Sequence, residues 1–125
     1  MLIGGRDLDP LEAKALDSSS IQHVAERNLR AQLPAALAKV SAIRDDVYVH
    51  LDVDVLDRSV GAINSYSSPG GLLLEEVTWA LEQLGRTMRP VAASITSFDP
   101  ASDPSSRALD AVVSSSLALL NACGR

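Results

Sequence analysis

The sequence predicts an α/β fold, with a mostly parallel sheet of about four strands and flanking helices. Two observations carry this. Short apolar runs alternate four times with segments of helical apolar period, the pattern of parallel strands joined by right-handed crossovers. The chain is 46% hydrophobic but only 3% aromatic, so its core is aliphatic, which suits helices packed over a parallel sheet. The 125 residues contain no linker and no internal repeat, so residues 1–125 read as a single unit.

Leu2 to Gly4 is the first apolar run, ended by Gly5. Pro10 to Leu16 reads as a short helix, with Asp9 at the N-cap and Pro10 in the first position. Ile21 to Val24 is a strand candidate. Pro34 to Ile43 has helical spacing, through Leu33, Ala36, Leu37 and Val40. Val47 to Val55 is the strongest strand, with Val47, Val49, Leu51, Val53 and Val55 alternating with Tyr48, His50, Asp52 and Asp54. Ser65 to Gly71 is a loop. Leu73 to Leu84 is a helix with Val77, Ala80, Leu81 and Leu84 on one face, and Gly85 is expected to end it. Val91 to Phe98 reads as a strand. Arg107 to Ala122 is the last helix, with Leu109, Val112, Val113, Leu117 and Leu120 expected inward.

Composition excludes several function classes. Eleven basic against sixteen acidic residues give a net charge of -5 with no basic patch, so nucleic acid is not an expected partner. No apolar stretch approaches the ~18 residues of a membrane span. Arg6 and Asp7 arrive too early for a signal-peptide apolar region. Cys123, the single cysteine, permits neither an intrachain disulfide nor a cysteine metal knuckle. The expectation is a soluble cytoplasmic protein.

The sharpest chemical feature is His50-Leu51-Asp52-Val53-Asp54-Val55-Leu56-Asp57. Period two places His50, Asp52 and Asp54 on one strand face. Ligands of open parallel sheets bind beyond the carboxyl ends of strands, where Asp52 and Asp54 fall. Two carboxylates so close repel unless a positive charge lies between them, and a hard divalent cation serves that purpose. The alternative is a pair of surface acids capping the strand end. A phosphatase using the first Asp as nucleophile would need a downstream lysine, but Lys14 and Lys39 both lie upstream.

Three landmarks occur in order along the chain. Gly5-Arg6-Asp7-Leu8-Asp9-Pro10-Leu11-Glu12 comes first. Asp52-Val53-Asp54 follows, with a loop to Gly70-Gly71-Leu72. Phe98-Asp99-Pro100 follows the last strand. Together they resemble the C-terminal half of the ureohydrolase superfamily, which includes arginase, agmatinase and formiminoglutamase. The resemblance spans Met1 to Cys123 and implies a single partial domain, half of an arginase-like three-layer fold.

It further implies a metal-dependent hydrolase acting on a linear C–N bond of a guanidino- or amidino-type small molecule. Two Mn2+ ions would bridge the attacking hydroxide, with Asp52 and Asp54 as metal ligands. His50, Tyr66 and Ser97 would be additional site-lining residues. Other metal ligands of the family are absent, because His23 and His50 are the only histidines. Ser97 stands where arginases and agmatinases carry a Glu, and Ala62-Ile63-Asn64-Ser65-Tyr66 replaces the usual loop. The implied partners are further copies of the chain, as a homo-oligomer, or the other half-domain. A non-catalytic module acting in assembly is the alternative function.

Overall fold

The computed structural model describes residues 1–124. Four strands and four helices alternate: β1 (Leu2–Ile3), α1 (Pro10–Asp17), β2 (His23–Val24), α2 (Leu29–Ser41), β3 (Asp46–Asp52), α3 (Leu74–Thr87), β4 (Arg89–Thr96) and α4 (Arg107–Cys123). The fold is therefore α/β. Its strands form two parallel pairs, β1 with β2 and β3 with β4. β3 and β4 run in register from Asp46 opposite Arg89 to Asp52 opposite Thr96, with one irregularity between Val47 and Tyr48. An Arg89–Asp46 ion pair at 2.6 Å closes the entry to both strands.

The caps follow local rules. Asp9 accepts from the N–H groups of Leu11 and Glu12, while Glu12 accepts from the Asp9 N–H, a complete capping box at α1. Glu76 likewise accepts from the Leu73 N–H before α3. The buried Asp103 carboxylate accepts from the Leu109 N–H and caps α4.

Four expectations are corrected. The strongest strand ends at Asp52 rather than Val55, because the Asp52 carboxylate captures the Asp54 N–H and starts a 3-10 turn over Val53–Val55. Asp54 therefore sits on that turn and not on the strand face. α2 begins at Leu29, not Pro34, because Leu29, Leu33 and Leu37 make one fully buried stripe that extends it toward the N-terminus. α3 runs through Gly85 to Thr87. A Cβ on Gly85 would lie 2.8 Å from the Ala122 Cα, so this glycine permits close approach of α3 and α4.

The fourth correction follows from the third. α4 buries Ala108, Ala111, Val112, Ser115, Leu119 and Ala122, and leaves Leu109, Val113, Leu117 and Leu120 exposed. Small residues face inward because they let α4 lie against Gly85. α4 is apolar on most sides, so its sequence alone does not mark the buried face.

The core joins the inner faces of α2, α3 and α4 to Val49, Leu51, Val53 and Leu56. Arg30 stacks over the Trp79 ring at 4.2 Å and ties α2 to α3. A cavity of about 730 Å³ lies between the two strand pairs. Among the described residues, no helix is long and apolar enough to cross a membrane.

Candidate metal centre

The site is built at the carboxyl end of β3. Asp52 closes the strand, and its Oδ1 accepts the Asp54 N–H at 2.9 Å. The turn buries Val53 and Leu56, so the two carboxylates are fixed by apolar anchors on either side of Asp54.

Arg6 holds the turn from outside. Its Nη2 donates to the Asp54 carbonyl at 2.7 Å, with longer contacts to the carbonyls of Leu56 at 3.4 Å and Ser68 at 3.2 Å. Nη1 donates to the Val55 carbonyl at 3.3 Å. The sequence suggests that Arg6 with Asp7 and Asp9 makes a structural ion pair and helix cap; the structure has the cap, but among the described residues Arg6 forms no ion pair. Asp7 takes a left-handed backbone conformation with φ 58°, Asp9 is committed to the α1 cap, and the guanidinium donates to carbonyl groups.

Asn64 supplies the other brace. Its Nδ2 donates to Asp54 Oδ1 at 3.3 Å and to the Ser97 carbonyl at 2.9 Å. Ser97 takes φ 75°, which presents that carbonyl after β4. Nothing in the sequence singles out Asn64 for this role. Its amide is one of the few side-chain types able to donate to two acceptors at once, the one signal that could have found it.

His50 crosses the strand pair. Its Nδ1 lies 2.9 Å from Ser94 Oγ and its Nε2 lies 3.3 Å from Thr96 Oγ1. Tyr48 donates its hydroxyl to the same Ser94 Oγ at 2.6 Å. Tyr66 is exposed, on a loop shaped by its N–H bond to Asn64 Oδ1. His50, Asp52, Asp54 and Tyr66 all line the cavity, whereas Ser97 is linked to them only through Asn64.

Asp57 braces the following loop. Its carboxyl is held down to about 2 by hydrogen bonds from Ser59 first, then from the Gly70 and Gly71 N–H groups. Those glycine bonds measure 2.7 and 3.1 Å. Gly71 is obligatory there, since a Cβ would lie 2.6 Å from the Leu56 and Asp57 backbone.

The carboxylates of Asp52 and Asp54 are hard oxygen donors of the kind Mn2+ or Mg2+ accepts. Their number is insufficient. Among the described residues, no group of three or more His, Cys, Asp or Glu could hold a metal ion. Both ring nitrogens of His50 already face hydroxyl groups. The donor type fits a divalent cation, but the chain's own donor set does not complete a coordination shell.

The arginase family model matches residues 1–120. Arginase from Bacillus caldovelox superposes with a TM-score of 0.85 at 24% identity, over 99% of this chain and 42% of that one. Helicobacter pylori arginase gives 0.84 at 19% identity, over 98% and 43%. Proclavaminate amidino hydrolase from Streptomyces clavuligerus gives 0.73 at 21% identity, over 95% and 40%. No curated protein sequence matches. The chain spans less than half the length of these structures, and over that span it belongs to the arginase family.

Proposed function

We propose that this chain carries part of the active site of a metal-dependent hydrolase that cleaves a linear C–N bond in a guanidino- or amidino-type small molecule. The observation that supports this most is the placement of Asp52 and Asp54 on the turn ending β3, braced by Arg6 and Asn64 and lining a cavity. In this reading Asp52 and Asp54 are metal ligands, with Mn2+ as the ion, and the remaining ligands come from residues outside this chain. When bound, such ions lower the pKa of water and polarise the substrate. His50 and Tyr66 line the approach to that centre. Ser97 offers a backbone carbonyl through Asn64 but no carboxylate for a cationic substrate. The setting is cytoplasmic, and the assembly contains a complementary half-domain or several copies of the chain.

One observation favours a second reading, a non-catalytic module that retains the fold for assembly. It is the incomplete donor set. The two are separated by urea or ammonia release from a panel of guanidino compounds, using the native product with and without Mn2+. The hydrolase reading predicts manganese-dependent release that Asp52→Ala abolishes. Absence of release from every compound, with no change on Asp52→Ala, favours the assembly module.

A further inference from the structure

A second cavity, polar and about 280 Å³ in volume, opens at the carboxyl end of β3 and β4. Arg58, Ala62, Asn64, Ser65, Ser67 and Ser102 line it. The first five lie on the loop after Asp57, and Ser102 ends the 3-10 turn after β4. It is separate from the cavity that Asp52 and Asp54 line, and shares no lining residue with it. Ligands of α/β sheets bind beyond the carboxyl ends of strands, where this cavity lies.

Most polar groups around it are already committed. The Ser67 hydroxyl accepts from the Asn64 N–H and donates to the Asn64 carbonyl, both at 3.1 Å. Ser102 donates to the Asp99 carboxylate at 2.7 Å. The Asn64 amide donates to Asp54 and to the Ser97 carbonyl. Two donors are left over. Among the described residues, the Arg58 guanidinium and the Ser65 hydroxyl enter no ion pair and no hydrogen bond.

The neighbouring acids do not neutralise Arg58. Asp57 accepts from the Ser59 N–H at 2.8 Å and from the Gly70 and Gly71 N–H groups. Asp99 accepts from the Ala101 N–H and from Ser102. Neutral donors hold both carboxylates, and no acidic residue lines the cavity. Arg107 strengthens the positive field, because its Nη2 donates to the carbonyl of Ser59, the residue after Arg58, at 2.9 Å.

We propose that this cavity binds a small oxyanion, a carboxylate or phosphate, with Arg58 as the principal donor and Ser65 as the second. The planar guanidinium takes two anion oxygens in parallel, and the Ser65 hydroxyl turns to donate to the same group. The bonds of Ser67 and Ser102 fix the wall in advance, so little ordering is needed on binding. Arg58 is exposed, so water and salt weaken the contact. The expected dissociation constant is on the order of millimolar and rises with ionic strength. Asn64 is both a wall of the cavity and a donor to Asp54, which places the anion one side chain away from that carboxylate. The inference requires neither metal nor hydrolysis and stands apart from the reading of Asp52 and Asp54.

The carboxylate of a small organic acid and free phosphate present the same chemistry, and the test separates them. The chain, labelled with 15N, is titrated with sodium acetate and, in a second arm, with inorganic phosphate, both at constant ionic strength kept with chloride. Chemical shifts are followed at the Ser65 and Ser67 amides and at the Arg58 Nε–H. The proposal expects saturable shifts at these groups in at least one arm. Arg58→Gln should raise the dissociation constant at least about tenfold, and Ser65→Ala about threefold or more. Saturation by acetate alone assigns an organic acid, saturation by phosphate alone assigns free phosphate, and each supports the site. No saturable shift in either arm up to about 100 mM overturns it. So does unchanged binding by Arg58→Gln. If Arg58→Gln does not fold, Ser65→Ala decides, and its binding as tightly as wild type overturns the proposal.

Discussion

The guanidinium of Arg6 donates to the main-chain carbonyl of Asp54 at 2.7 Å, across 48 positions of sequence. This bond joins the first strand pair to the turn that ends the second. It makes Arg6 a structural hub whose charge is spent on carbonyl dipoles and not on a carboxylate.

Arg6→Ala is expected to destabilise the chain by roughly 2–3 kcal/mol, because several partly buried carbonyls lose a charged donor together. Arg6→Lys should recover only part, since a point-charge ammonium cannot reproduce the planar fork. Urea denaturation of the three proteins reads this directly. Equal midpoints for wild type and Arg6→Ala would remove the staple from the account.

Gly85→Ala should be destabilising by about 1–3 kcal/mol, although alanine is the better helix former. The added Cβ meets Ala122 at 2.8 Å and forces α3 and α4 apart. A thermal melt that rises on this substitution would contradict the close helix approach.

On α4 the buried and exposed leucines should separate sharply. Leu119 is 1% exposed and Leu117 is 56% exposed. Leu119→Ala is expected to cost roughly 2–4 kcal/mol and Leu117→Ala under about 1. The reverse order in chemical denaturation would mean that α4 is rotated.

The Asp57 carboxyl titrates near 2 in the folded chain, against 3.8 ordinarily. Its folded value is depressed, so the ionised form favours folding. That contribution is present above pH 4 and is lost as pH falls from about 4 toward 2. Asp57→Asn should flatten the acid limb of the stability–pH profile in this window and leave its slope above pH 5 unchanged.

Much of the fold was legible because its signals are local. The Asp9–Pro10 start of α1 and the alternation before Asp52 depend on neighbours in sequence. The errors came from tertiary choices. Gly85 looks like a helix stop until Ala122 is seen against it. The larger residues of α4 look inward until small ones are needed at a close crossing. Asp54 leaves the strand face because a neighbouring carboxylate captures its N–H, which period-two reasoning omits. Within the site, Asp52 and Asp54 stood out by spacing. Asn64 and the true partners of Arg6 did not, since both act on groups brought close only by folding.

The most direct test of the central claim, that Asp52 and Asp54 are ligands of a divalent metal centre completed from outside this chain, is the manganese content of the native product. Wild-type protein is compared with Asp52→Asn after dialysis against a weak chelator, with circular dichroism showing both folded. The account predicts retained manganese in the wild type and its loss in the variant. Equal manganese in both, or none in either, would contradict it.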